Sequence, residues 1–306
     1  MDYLYIALGL TGLFLGGDAL VRGSVALARR LSISPLLIGL TVVGFGTSTP
    51  ELLVSVDAAL GGVPDVALGN VIGSNIANIL LIVGVTALIW PIPVPVATLR
   101  RDTGVMVVAA LLLVPFLALG ELGRLAGAAL VSALAGYLIW AYLQPGDAAT
   151  DDTDLPPAMP APRALLWLVG GLVALLFGAR FLVDGAVSIA RDSGLSEAFI
   201  GLSIVAVGTS LPELATSVVA ALRRQPAIAI GNVIGSNIFN VLGIIGVTAI
   251  ITPIPVAPRF AVFDVPVMIA VSALLAALLL MRASLGRIVG AAMLAGYAAY
   301  IIAAQG

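Results

Sequence analysis

The 306-residue chain contains no cysteine and no histidine. These absences exclude disulfides, thiol chemistry, haem ligation by histidine, most zinc sites and any Ser-His or Cys-His nucleophile pair. Lysine is missing too, since all 14 basic residues are arginine. Charged residues make up only 10% of the chain, whereas a soluble domain carries roughly a quarter. The polar surface of a water-soluble fold is therefore lacking, and a net charge of −2 offers nothing to nucleic acid. What is present is apolar length. The mean hydropathy is +1.17, and apolar runs of about 20 residues, the length that crosses hydrocarbon, follow one another. The expected fold class is an all-α integral membrane protein. Met1, Asp2 and Tyr3 lack a basic n-region, so they read as the start of a span and not as a cleaved signal. Carboxylates, hydroxyls, amides and carbonyls remain as functional groups. These are the ligands of hard cations, and they imply no prosthetic group.

Ten hydrophobic segments are expected, at 3–28, 34–60, 66–90, 103–120 and 125–143, then 164–190, 197–222, 227–251, 260–280 and 285–303. Between them, residues 144–163 form a linker with five Pro and four Asp (Asp147, Asp151, Asp152, Asp154), read as solvated chain. The second half, 164–306, repeats the first, 1–143, at an offset of 162. Gly46-Thr47-Ser48-Thr49-Pro50-Glu51-Leu52 recurs as Gly208-Thr209-Ser210-Leu211-Pro212-Glu213-Leu214. Gly69 to Ile76 recurs unchanged as Gly231 to Ile238, Pro91 and Pro93 as Pro253 and Pro255, and Asp102 as Asp264. Five spans per repeat is an odd number, so equivalent points of the two halves face opposite sides of the membrane, an inverted-topology repeat. Arg29, Arg30, Arg100, Arg101, Arg163, Arg223, Arg224, Arg282 and Arg287 fall in loops of one side; Arg124, Arg191 and Arg259 fall on the other. The positive-inside rule makes the first side cytoplasmic. Both termini and Glu197 then lie outside, the linker lies inside, and the expected location is the cell membrane.

Segments two and seven are each interrupted by the Gly-Thr-Ser-x-Pro-Glu stretch. Glycine relaxes the backbone, and proline removes a donor and disrupts a helix interior. In lipid such a break is tolerated only where its backbone groups line a polar cavity or find protein partners. Breaks are expected likewise in segments three and eight, around Gly69 and Gly73 and around Gly231 and Gly235. Ser74 and Asn78 are four residues apart and share a helix face, as do Ser236 and Asn240, Thr47 and Glu51, and Thr209 and Glu213. Each half thus offers a carboxylate, hydroxyls, an amide and carbonyls to one central site. Ser48 with Glu51, and Ser210 with Glu213, also match a capping box; a local capping role is expected for both serines, which stand among the candidate cation ligands as well. Capping does not explain an ionisable group in mid-membrane, where charge is costly.

Asn70, Asn75, Asn232 and Asn237 flank the glycines and are expected to satisfy backbone groups. Gly69 and Gly73, like Gly231 and Gly235, suit close helix packing. Asp18 with Arg22, and Arg180 with Asp184, are spaced i,i+4 and read as neutralised pairs within one helix. Asp57 and Asp65 align with Val219 and Ala227. They are expected near the mouth of the site and not as ligands.

These motifs, doubled and in order, resemble the two alpha repeats of the sodium/calcium exchangers, in the cation/calcium antiporter superfamily. The resemblance covers nearly the whole chain and is to the prokaryotic type without large cytosolic regulatory domains. It implies exchange of Ca2+ against Na+ by alternating access, with no enzymatic activity. It implies that Glu51 and Glu213 share the Ca2+ and that carbonyls of Thr47 and Thr209 complete its shell. Flanking Na+ sites would use Thr47, Ser74 and the Gly44 carbonyl on one side, and Thr209, Ser236 and the Ala206 carbonyl on the other. Segments one and six resemble the sliding pair that opens access to either side. The partners implied are Ca2+, Na+ and the bilayer; nothing sets the oligomeric state, and a monomer is compatible.

One position departs from the resemblance. Well-known archaeal and animal exchangers carry Asp where this chain has Asn240, opposite Asn78. That leaves a Ca2+/H+ or K+-dependent exchanger of the same architecture as the alternative. A cation channel fits the paired repeat less well, and an intramembrane enzyme lacks its His or Cys. Asn240→Asp is expected to change ion selectivity or the pH profile of flux in reconstituted vesicles more than it changes the unfolding temperature.

Overall fold

The computed structural model describes residues 1–31, 33–93, 96–143, 159–194, 206–281 and 284–304. In chain order the helices are α1 (Asp2–Arg30), α2 (Pro35–Thr47), α3 (Thr49–Leu60), α4 (Pro64–Ile89), α5 (Val96–Leu111), α6 (Val114–Leu119) and α7 (Arg124–Leu143). They continue as α8 (Ala161–Asp192), α9 (Ala206–Gly208), α10 (Leu211–Leu222), α11 (Pro226–Ile251), α12 (Phe260–Met281) and α13 (Arg287–Ala304). Seven of these, namely α1, α4, α7, α8, α11, α12 and α13, are long and apolar enough to cross a bilayer; α2 and α3, bent by 44° at Ser48, make an eighth. The chain is thus a helical membrane protein. The acidic linker residues and Glu197, with the first part of the seventh segment, lie outside the described residues.

Three expectations are corrected. Segment four is not one helix over 103–120, because α5 starts at Val96 and ends at Leu111, and α6 follows from Val114. Pro115 explains the stop: its ring clashes with the carbonyl four residues back, that of Leu111, and it has no N–H to donate. Segments three and eight are not broken at their glycines. α4 runs through Gly69 and Gly73, and α11 through Gly231 and Gly235. The irregularity comes later, as π turns at Asn78–Ile82 and Phe239–Ile245. Gly231 serves packing, since a Cβ there would stand 2.7 Å from the Leu36 carbonyl of α2. Finally, the fold is not purely helical. Strand β1 (Ile92–Pro93) pairs antiparallel with β4 (Ser284–Leu285), and β2 (Glu121–Leu122) with β3 (Ile254–Pro255). Residues before proline favour extended backbone, so the two Pro-Ile-Pro loops present edges that the other half's loops can pair with.

The equivalent aspartates of the two halves make like contacts, through partners that do not align at the offset. Asp102 accepts a bond from Tyr137 (3.2 Å) and Asp264 from Tyr300 (3.0 Å). Arg101 pairs with the first and Arg259 with the second. These buried carboxylates tie α5 to α7 and α12 to α13.

The apolar interior of the described residues has two large clusters, with a third, small one of Ala58, Ala59 and Ala67 between α3 and α4. The larger cluster joins α4, α5, α7, α11, α12 and α13. A separate cluster joins α1 and α8 to parts of α2, α10 and α11. α1 and α8 pack along glycines. A Cβ on Gly171 would stand 2.7 Å from the Gly16 carbonyl, and one on Gly178 would stand 2.7 Å from the Leu13 nitrogen. Removing the Cβ lets the two backbones touch. Asp18 is not confined to its own helix, since it pairs with Arg22 at 2.9 Å and also with Arg223, just past α10, at 2.5 Å. Arg180 and Asp184 remain a loose, exposed pair at 3.8 Å.

Neighbouring glycines test the glycine seam. Gly171 faces α1, whereas Gly170 is exposed with no described atom near its Cβ position. Gly171→Ala is expected to lower the unfolding temperature in detergent. Gly170→Ala is expected to leave it unchanged or raise it, since alanine favours a helix over glycine by about 1 kcal/mol.

Candidate cation site

The bend between α2 and α3 sets Glu51 one turn into α3, and the matching turn at Thr209 and Ser210 sets Glu213 one turn into α10. Both glutamates are only 1% exposed. The expected capping role of Ser48 and Ser210 is not what the structure holds: neither α3 nor α10 has a side-chain cap. The Ser48 N–H already bonds to the Gly44 carbonyl at 3.1 Å, and that of Ser210 to Val207 at 3.1 Å. No backbone donor therefore needs either glutamate to reach back. Each serine instead crosses to the other half. Ser48 Oγ donates to Glu213 Oε1 at 3.0 Å, and Ser210 Oγ to Glu51 Oε1 at 3.4 Å. The second oxygen of each glutamate, Oε2, is buried without a hydrogen-bond partner.

Two amide oxygens share that condition. Asn78 begins the π turn of α4 and Asn240 lies in that of α11. Both Oδ1 atoms are buried and unpartnered. Their nitrogens are held: Asn78 Nδ2 donates to Asn237 Oδ1 at 3.0 Å, and Asn240 Nδ2 to Asn75 Oδ1 at 3.1 Å. Four buried acceptor oxygens of these glutamates and amides thus lack a donor, as does Asp102 Oδ2 on α5. Buried acceptors left this way call for a missing partner, and a cation satisfies acceptors only. Among the described residues no cluster of three or more acidic, His or Cys side chains exists. The acidic side chains of the candidate site are thus Glu51 and Glu213 alone.

The remaining expected ligands fall as follows. Thr47 Oγ1 lies 3.1 Å from the Val43 carbonyl, 3.3 Å from that of Gly44 and 3.1 Å from Asn232 Oδ1. Thr209 is in the turn between α9 and α10, and Ala206 opens α9. Ser74 is buried on α4. Ser236 donates to the Gly44 carbonyl at 3.2 Å. The Gly44 carbonyl thus meets the serine of the other half. Packing of α2 on α11 causes it; a Cβ on Gly44 would be 3.0 Å from the Ser236 nitrogen. Asp57 and Asp65 are exposed, off this cluster.

Sequence reasoning missed some participants. Asn70 Nδ2 bonds to the Glu51 carbonyl (3.1 Å) and Ser55 Oγ (2.9 Å). Asn232 Nδ2 does the same for the Glu213 carbonyl (3.2 Å) and Ser217 Oγ (3.0 Å). The backbone role of these asparagines was legible; Ser55 and Ser217 were not singled out, although both recur at the repeat offset. The π turns carry no sequence signal that we can name.

Buried apolar helices around a paired carboxylate site define an integral membrane protein of the ion-transporting class. The sodium/calcium exchanger protein family matches residues 1–143 and 163–305, and the chain belongs to it. It is 42% identical to CaxA of Alkalimonas amylolytica, over 93% of this chain and 91% of that protein. It is 31% identical to the sodium/calcium exchanger MaX1 of Methanosarcina acetivorans, over 99% and 98% of the two chains. Its structure resembles that of the sodium-calcium exchanger NCX_Mj soaked with Na+ and Sr2+, with a TM-score of 0.85 and 33% identity over 98% of this chain and 97% of that one.

The asparagine bridges can be tested by stability. Asn232→Leu removes both Nδ2 bonds and the contact with Thr47, and leaves the Glu213 carbonyl without its side-chain donor. A loss of about 1–3 kcal/mol, the cost of a buried unsatisfied group, is expected in detergent unfolding.

Proposed function

We propose that the protein is a secondary antiporter that exchanges Ca2+ for Na+ by alternating access at the Glu51 and Glu213 site. The observation that carries this reading is the set of four buried oxygens without donors, Glu51 Oε2, Glu213 Oε2, Asn78 Oδ1 and Asn240 Oδ1. Ca2+ takes about 6–8 oxygens at flexible geometry. Carbonyls of Thr47 and Thr209 and the hydroxyls of Ser48 and Ser210 supply further ligands. Thr47, Thr209, Ser74 and Ser236, with the Gly44 and Ala206 carbonyls, serve flanking Na+ sites. Two carboxylates balance one Ca2+ or two Na+, so the two loads compete for the same two negative charges. The likeness to the sodium/calcium exchanger MaX1 and the sodium-calcium exchanger NCX_Mj supports the ion pair.

In this reading ten spans form two inverted five-helix repeats, 1–143 and 164–306. The 144–163 linker is cytoplasmic, and both termini are extracytoplasmic in the cell membrane. The reciprocal Ser48–Glu213 and Ser210–Glu51 bonds support a site shared equally by both repeats. The α1–α8 pair, whose cluster touches α2, α10 and α11 and lies apart from the larger core, is the element that would move. With Asn at both 78 and 240, neither position can titrate or add charge. A third Na+ would leave one positive charge and make exchange electrogenic.

Ca2+ flux into reconstituted vesicles under imposed Na+, K+ and pH gradients tests the coupling. Uptake should follow an outward Na+ gradient at fixed pH. Uptake that ignores Na+ and follows the pH or K+ gradient would assign the alternative counter-ion. Glu51→Gln and Glu213→Gln should each abolish Ca2+-coupled exchange, and near-normal uptake in both variants would refute the site.

A further inference from the structure

We propose that Asn75 and Asn237 are positioning residues, each holding the ion-facing amide of the opposite half with its oxygen directed at the site. The inference rests on the reading of Glu51 and Glu213 as a cation site. All four asparagines involved are buried: Asn75 and Asn237 at 2% exposure, Asn78 at 1% and Asn240 at 0%.

The orientation follows from one fixed acceptor. Asn75 Nδ2 is 3.4 Å from the backbone carbonyl of Asn237 and 3.4 Å from Met268 Sδ. A carbonyl only accepts, so the amide nitrogen of Asn75 must face it. Asn75 Oδ1 is then left as an acceptor, and Asn240 must present its own nitrogen to it, at 3.1 Å. Asn240 Oδ1 is thereby turned away from Asn75, and it is one of the unpartnered oxygens. The other arm has the same form with a softer anchor. Asn237 Nδ2 points to Met106 Sδ at 3.6 Å, and Asn237 Oδ1 accepts from Asn78 Nδ2 at 3.0 Å. A thioether is a weak acceptor. The Asn75 arm is therefore the more firmly fixed of the two.

Each helix carries both parts, three residues apart, and the parts cross. α4 supplies the ligand Asn78 and the holder of Asn240; α11 supplies the ligand Asn240 and the holder of Asn78. Neither amide is aimed by its own half. An amide free to rotate would expose a donor nitrogen to a cation as readily as an acceptor oxygen, so the holders exclude the repulsive orientation.

Equilibrium binding of radioactive Ca2+ to the purified full chain in detergent tests this without relying on any counter-ion. Outer partners of metal ligands typically contribute 10- to 100-fold to affinity, and Asn75→Leu is expected to weaken binding by about that range. The decisive comparison uses Asn240→Leu and the double variant. If Asn75 acts through Asn240, the double variant binds no more weakly than Asn240→Leu alone. Losses that multiply would mean Asn75 acts through general structure, and would overturn the inference. Near-normal binding in Asn75→Leu, with the Glu51→Gln loss intact, overturns it alone. Binding indifferent to Glu51→Gln overturns the site and the inference together. Should Asn75→Leu fail to fold, Asn75→Ala carries the same comparison.

Discussion

A carboxylate taken from water into an apolar interior loses several kcal/mol of hydration unless hydrogen bonds or a counter-charge replace it. Glu51 and Glu213 are both in this condition, and the helices around them are arranged to relieve half of it. Each receives one serine hydroxyl, and each serine comes from the other half of the chain. The carbonyls behind both glutamates are held by Asn70 and Asn232. One oxygen of each glutamate is left over. On the proposed reading a cation, not a protein donor, relieves that remainder, since full internal satisfaction would remove the reason for an ion to bind.

The rest of the architecture follows from the need to keep these groups buried. α4 and α11 are the most enclosed of the long helices, and they carry the amides. α1 and α8 lie against the smaller apolar cluster, joined to each other by glycine contacts at backbone distance. Asp18 fastens this pair to the end of α10 through Arg223, whereas the Arg180–Asp184 pair on α8 stays exposed. The two halves are thus alike at the centre and unlike at this periphery.

Much of this was legible in the residues. A 10% charged chain made of apolar runs had to be a membrane protein. A doubled Pro-Glu stretch pointed to both glutamates, and the offset of 162 pointed to their equivalence. Local patterns misled where a neighbour competed. Ser48 looked like a cap for Glu51, but the Gly44 carbonyl had already taken its N–H. Gly69, Gly73, Gly231 and Gly235 looked like breaks, yet the helices continue through them. Pro115 was visible throughout, and its effect on the carbonyl of Leu111 could have been read from spacing alone.

The sequence by itself determined the solvent of this protein, its internal duplication and the two acidic residues around which the site is built. Those follow from composition and from polar residues kept in register, which are properties of the chain and not of its packing. The tertiary structure alone decided that Ser48 serves Glu213, that Ser236 meets Gly44, and that the amides of Asn78 and Asn240 are held by Asn237 and Asn75. Every one of these bonds joins residues more than 150 positions apart. Which distant hydroxyl or amide wins a buried acceptor depends on how two helices are pressed together, and no local pattern carries that information.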